Sequence, residues 1–207
     1  MTGIPTGRYN IKNVKNKKRK KSGIRQKGHM PRKCAREKIL DAAEQVVILV
    51  GAGHLTLSAI AKKAGVSKGG LIYYFPSKTA LLKGMIERLI SRSESRQTSR
   101  EIQLPAGKSC AIKAHILNAS LRRPDRKPMR IALLAASAHN PRLLEPAREA
   151  YRRQFARFTA NGLRPERAGI IAFAVDGMWL LDLLDMMPIP RNQINSVIQE
   201  LLKLADE

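Results

Sequence analysis

The chain has 207 residues, of which 43% are hydrophobic, 27% charged and 4% aromatic, with a formal net charge of +23. That length can bury a small head and a helical body, whereas two cysteines are too few for a disulfide framework, and no apolar run reaches the roughly 18 residues of a membrane span. So large a positive excess makes a polyanion the first partner to consider.

The excess is uneven: residues 1–29 hold ten Lys or Arg and no acid, leaving 29 bases against 16 acids in the rest. The run Lys15–Lys21, KNKKRKK, is too polar to bury a core, so residues 1–33 are expected to form a disordered basic tail. Three readings compete for it. It is a basic arm that follows phosphates or the minor groove, or a nuclear-localisation-like run, which the bacterial look of the rest disfavours. Alternatively it is not native before Met30, since Gly28-His29-Met30 resembles a cloning junction or a misassigned start.

The first helix is expected from about Lys33 to Val50, with Ile39, Ala42, Ala43, Val46, Val47 and Val50 recurring at helical spacing. Next comes TLSAIAKKAGVSKGGLIYYFPSK, Thr56 to Lys78, the most informative window of the chain. Thr56 caps a helix with Leu55 placed to staple against Ile60. Gly65 supplies the left-handed residue that ends it, and Ser67 caps a second helix with Val66 placed to staple against Leu71. Two short helices with so brief a joint lay the second into a DNA major groove. Gly69 and Gly70 cost that helix about 1 kcal/mol each relative to alanine, but they let backbone amides approach a phosphate, and Lys68 beside them reaches a phosphate or a guanine edge. Of Tyr73 and Tyr74 only one can point fully into a core, leaving the other a hydroxyl for the sugar-phosphate backbone. Ser77 caps a further helix, so Lys78 sits at a positive dipole end, where a cation is poorly placed unless a phosphate is near.

These residues, from Gly51 through Thr56, Ile60-Ala61, Ala64-Gly65-Val66-Ser67, Gly69, Leu71, Phe75 and Ser77-Lys78, resemble the N-terminal domain of the TetR (tetracycline repressor) family of bacterial transcription regulators. The resemblance covers roughly residues 36–89. It implies a DNA face lined by Thr56, Ser58, Lys68, Gly69, Gly70, Tyr73, Tyr74 and Lys78, to which we add the cap Ser67. The departures are Ile72 where many members carry tyrosine, Tyr74 where many carry histidine, and Val47 where phenylalanine is common.

Beyond Lys78 a helix from about Thr79 to Arg96 is expected, with its polar second half, SRSESRQTSR, leaving the body or fraying. Leu104–Lys108 reads as a loop. Further helices follow near Ser109–Leu121, Pro128–Ala138, Pro141–Ala160 with a kink at Pro146, Pro165–Met186 and Arg191–Leu204, punctuated by proline and Asn161-Gly162. No strand alternation occurs, so the fold class is all-α: a three-helix helix-turn-helix head at 34–79 and a helical ligand-binding and dimerisation body at 80–207. The helix from Ala168 to Met186 is apolar almost all round and needs burial on more than one face. The last helix adds Ile194, Val197, Ile198, Leu201, Leu202 and Leu204. A two-fold four-helix seam would cover both, and a palindromic operator requires such a homodimer; the family resemblance implies the same seam.

The resemblance also implies a small-molecule effector site in the body. Candidate lining residues are Met129, Phe155, Phe158, Phe173 and Trp179 as apolar surface, with His115, Ser137, His139 and Asp176 as polar groups. Asp176 is the foremost of these, because a buried carboxylate needs a hydrogen-bond donor or a cation. An arginine across the dimer seam is an equal alternative. No nucleophile elbow, phosphate loop or metal-ligand spacing occurs, so neither an enzyme, a cofactor nor a metal is expected. The leading function is a ligand-responsive dimeric repressor on double-stranded DNA. The alternatives are a sequence-tolerant basic DNA-coating protein and a small-molecule binder with a weakened DNA role. Two thiols and the absence of a membrane segment suit the bacterial cytoplasm.

Overall fold

The computed structural model describes residues 32–105, 107, 109–119, 127–160 and 162–206. The readings of the basic tail therefore lie outside the described residues, except that its last two residues, Arg32 and Lys33, open the first helix rather than continue the tail. Every regular element among those described is helical: α1 Arg32–Val50, α2 Leu57–Ala64, α3 Lys68–Tyr74, α4 Lys78–Gln103, α5 Cys110–Ala119 and α6 Lys127–His139. A short 3-10 turn at Pro141–Leu144 then leads into α7 Glu145–Thr159, α8 Pro165–Leu183 and α9 Arg191–Asp206.

The head follows its local signals closely. The Thr56 hydroxyl accepts from the Ala59 amide at 3.2 Å and the Ser67 hydroxyl from Gly70 at 3.0 Å, each satisfying an amide that the first turn leaves orphaned. Gly65 ends α2 at φ 66°, while the Val66 amide donates to Ala61 and the Gly65 amide to Lys62 at 3.0 and 3.3 Å. Those paired bonds form a Schellman stop, which glycine enters without steric cost. The staple residues Leu55, Ile60 and Leu71 are buried with Ile39, Leu40, Ala43, Val47 and Phe75 in one core. Gly84 completes that packing: a Cβ there would lie 2.6 Å from the Phe75 ring.

Electrostatics joins α1 to α4. The Arg88 side chain is 5% exposed and its guanidinium meets Glu37, Asp41 and Glu44 of α1 at 3.3, 2.7 and 2.5 Å. Arg92 adds a bond to Glu44 at 3.0 Å. An arginine this deeply placed is tolerable because several carboxylates answer it.

The body holds a second core of Ile112, Ile116, Phe158, Ile171, Val175, Ile198 and their neighbours from α5, α7, α8 and α9. Two expectations need correction here. The polar half of α4 does not fray: the helix runs to Gln103, Gln97 is buried, and its side-chain amide donates to the Ala111 carbonyl at 3.2 Å. The kink foreseen at Pro146 is instead a change of helix type, because the 3-10 turn ends at Leu144 and Pro146 lies in the first turn of α7. There its missing N–H would have had no partner anyway. Head and body share packing, since Met129 and Leu133 of α6 and Leu143 of the 3-10 turn belong to the head's core.

Candidate functional site

The outer surface of α2 and α3 carries lysines and no acid. Residues 51–86 carry five lysines and no acid, whereas the acids of α1 face Arg88 and Arg92. Thr56, Ser58, Ser67, Lys68, Gly69 and Tyr73 are exposed, and Gly70, Tyr74 and Lys78 half-buried. A Cβ at Gly69 would meet nothing within 4 Å, while one at Gly70 would press the capping Ser67 hydroxyl at 3.1 Å. The two glycines therefore differ: Gly69 leaves open ground at the start of α3, and Gly70 guards its cap. The tyrosines divide as their adjacency requires. Tyr74 packs against the head's core, and Tyr73 stands 68% exposed with its ring edge-to-face on Tyr74 at 5.1 Å between centroids.

Lys78 has a further partner. Its ammonium donates to the Gly53 carbonyl in the turn between α1 and α2, so the same side chain ties that turn to the start of α4. Ser77 caps α4 through the Ala80 amide at 3.0 Å. Ile72 is 40% exposed on α3, an apolar group where a tyrosine would carry a hydroxyl.

In the body, a cavity of ≈ 330 Å³ opens between α4, α5, α6, α7 and α8, with Glu94, His115, Tyr151, Gln154, Asp176 and Trp179 on its walls. Of the nine residues anticipated from sequence it brings together three, His115, Asp176 and Trp179. Phe158 lies just behind them, buried, its ring 5.2 Å from that of His115, and Phe155 packs against the same core. The others go elsewhere. Met129 is buried in the head's core, and Phe173 is 67% exposed on α8. Ser137 and His139 bond carbonyls one turn back in α6, those of Leu133 and Ala135. Tyr151, Gln154 and Glu94 were not anticipated. Their only trace in the sequence is the three-residue spacing that sets Tyr151 and Gln154 on one face of α7.

The cavity's polar groups form a chain. The Gln154 amide donates to Gln97 at 3.0 Å and meets His115 Nδ1 at 2.8 Å, which places the neutral ring's proton on Nε2. That Nε2 is buried without a hydrogen-bond partner, and its separation from the Asp176 carboxylate is 3.8 Å, too long for a direct bond. Burial lowers the pKa of His115 more than the Asp176 charge raises it, so the ring is held neutral. The Tyr151 hydroxyl donates to the other Asp176 oxygen. Burial, and then this bond, push its pKa up, so it remains a donor. Within the chain the Asp176 carboxylate is answered by the Tyr151 hydroxyl, with His115 Nε2 3.8 Å away.

Among the described residues, no three His, Cys, Asp or Glu converge as metal donors, and no helix is long and apolar enough to cross a membrane.

Comparison with known proteins agrees with this layout. Residues 39–85 match the family described as bacterial regulatory proteins, tetR family, and residues 109–206 match the tetracyclin repressor-like C-terminal domain. The HTH-type transcriptional regulator BetI of Serratia proteamaculans is 30% identical over 156 residues, 70% of this chain and 79% of its own length. BetI of Escherichia coli K12 is 25% identical over 178 residues, 81% and 91% of the two chains. A solved transcriptional-regulator structure from Saccharomonospora viridis, in complex with choline, superposes with a TM-score of 0.63 at 19% identity, covering 83% of this chain and 96% of that one.

Proposed function

We propose, from the premise that this chain belongs to the TetR family of DNA-binding transcriptional regulators, that it is a homodimeric repressor that grips a palindromic operator and releases it when a small molecule enters its body. One observation carries the operator half of this reading: Lys68, Gly69 and Tyr73 stand exposed on α3, with open space at Gly69, on a stretch of five lysines and no acid. Such a helix end admits phosphate to backbone amides while Lys68 reaches base edges.

The dimer is supported by α8. Within one chain it leaves Ile170 60%, Phe173 67% and Leu180 40% exposed, at helical spacing on one side, a patch that water disfavours and a second copy would cover. A two-fold pair then presents two α3 helices to half-sites about 34–36 Å apart. Release is supported by the walls of the cavity. Ile90 lines it and also packs on the head's core, and Arg130 lines it beside Met129, whose side chain sits in that core. An occupant favouring one placement of α4 and α6 would shift the population of head orientations.

The test is site selection from random duplex DNA at near-physiological salt, with the full chain and with one beginning at Met30. Both are expected to recover the same inverted repeat. Lys68→Ala is expected to weaken binding to that repeat by about 1–2 kcal/mol, roughly five- to thirtyfold, with the dimer still folded. Binding without an enriched motif, lost on truncation, would favour DNA coating instead.

A further inference from the structure

The body cavity also limits the kind of molecule that can fill it. Among the described residues, the Asp176 carboxylate accepts one hydrogen bond, from the uncharged Tyr151 hydroxyl, and faces His115 Nε2 at 3.8 Å, on a ring whose pKa burial lowers. A single uncharged donor softens a carboxylate's charge without cancelling it. Tyr151 and Trp179 bring aromatic surface to the same cavity, 39% and 43% exposed, and ring faces attract cations through their quadrupole. The unpartnered His115 Nε2 is a donor with no acceptor, which an oxygen on the occupant would satisfy. Glu94 adds a second carboxylate to the walls, shared with Arg153 at 3.1 Å. Arg96 and Arg130 also line the cavity and would favour an anion, but each already has interactions of its own.

We propose that the cavity takes a small organic ammonium ion that also carries an oxygen, with Asp176 as its counter-charge, Tyr151 and Trp179 as its aromatic walls and His115 as donor to its oxygen. This deepens the effector reading above and rests on it. An organic cation suits the site better than a bare metal ion, because among the described residues no three His, Cys, Asp or Glu converge as metal donors, while aromatic rings attract a diffuse charge.

Trp179 is the chain's single tryptophan, so its emission reports on this cavity alone. The full-length dimer is titrated with choline, with tetramethylammonium, with the neutral isostere 3,3-dimethylbutanol and with acetate. Choline is expected to give a saturable change in emission. The neutral isostere, identical in shape, is expected to bind at least about tenfold more weakly, tetramethylammonium to fall between them for lack of an oxygen, and acetate to give no saturable change. Asp176→Asn, nearly the same size, is expected to lose the charge preference. Equal binding of choline and its isostere, preference for acetate, or no saturable response to either cation overturns the proposal. Operator binding is measured on the same samples. If the palindrome is bound and the cations are not, the ligand class fails alone; if no palindrome is bound, the regulatory reading fails independently of the titration.

Discussion

In the head, each of three successive helices begins at a side chain that bonds an amide three residues on: Thr56 to Ala59, Ser67 to Gly70 and Ser77 to Ala80. In the body, α7 and α8 start without any side-chain cap. The polar groups there join distant parts of the chain instead, Gln97 to Ala111, Gln154 to His115, Tyr151 to Asp176 and Ser109 to Ala205. A locally specified head keeps one shape. A body specified by contacts between elements can change its cavity lining by changing side chains while the helices stay in place.

The contrast is tested most severely in the head's core. Leu71→Ala removes a fully buried side chain and is expected to cost about 2–5 kcal/mol. Because Met129, Leu133 and Leu143 share that core, calorimetry should show head and body melting together at a lower temperature. A separate early transition would mean that the head is more independent than its packing implies. Next comes Gly84→Ala, which meets Phe75 at 2.6 Å and is expected to cost about 1–3 kcal/mol. Adding Phe75→Leu should recover part of the loss, a coupling read from the double-mutant cycle.

Smaller effects probe local specification and the cavity. Ser67→Ala deletes one cap and should cost about 1 kcal/mol, seen in urea as a lower midpoint at unchanged slope. The smallest concerns His115. Its folded pKa lies below the ordinary 6.5, so as pH falls through about 6.5 the unfolded chain takes the proton first and the fold loses stability. From about pH 7.5 to 5.5 the wild type should therefore lose more melting temperature than His115→Gln; an equal loss would mean that His115 is not held neutral.

What could be read from the chain follows the same division. Thr56, Gly65, Ser67 and Ser77 were legible as caps because each acts on neighbours within a few residues, and the burial of Leu55, Ile60 and Leu71 follows from helical spacing. The cavity was legible in part. His115, Asp176 and Trp179 stand out as polar or aromatic residues in apolar helices, but Tyr151, Gln154 and Glu94 lie on helices whose polar faces look like ordinary surface. Ser137 and His139 looked available, yet a hydroxyl or imidazole one turn past a helical carbonyl can be satisfied within its own helix. Met129 has the right chemistry for a ligand wall, and only the docking of α6 on the head sends it elsewhere.

The amino-acid order by itself determined the helical class, the helix-turn-helix and the residues of its outer face, because capping, the left-handed glycine and 3.6-residue periodicity act over one or two turns. The tertiary structure alone decided that α4 runs unbroken to Gln103 beneath the body, that Arg88 gathers three carboxylates, and that Asp176 meets Tyr151 and His115 above Trp179. Those outcomes depend on which helix faces meet across dozens of residues, and no local spacing encodes them.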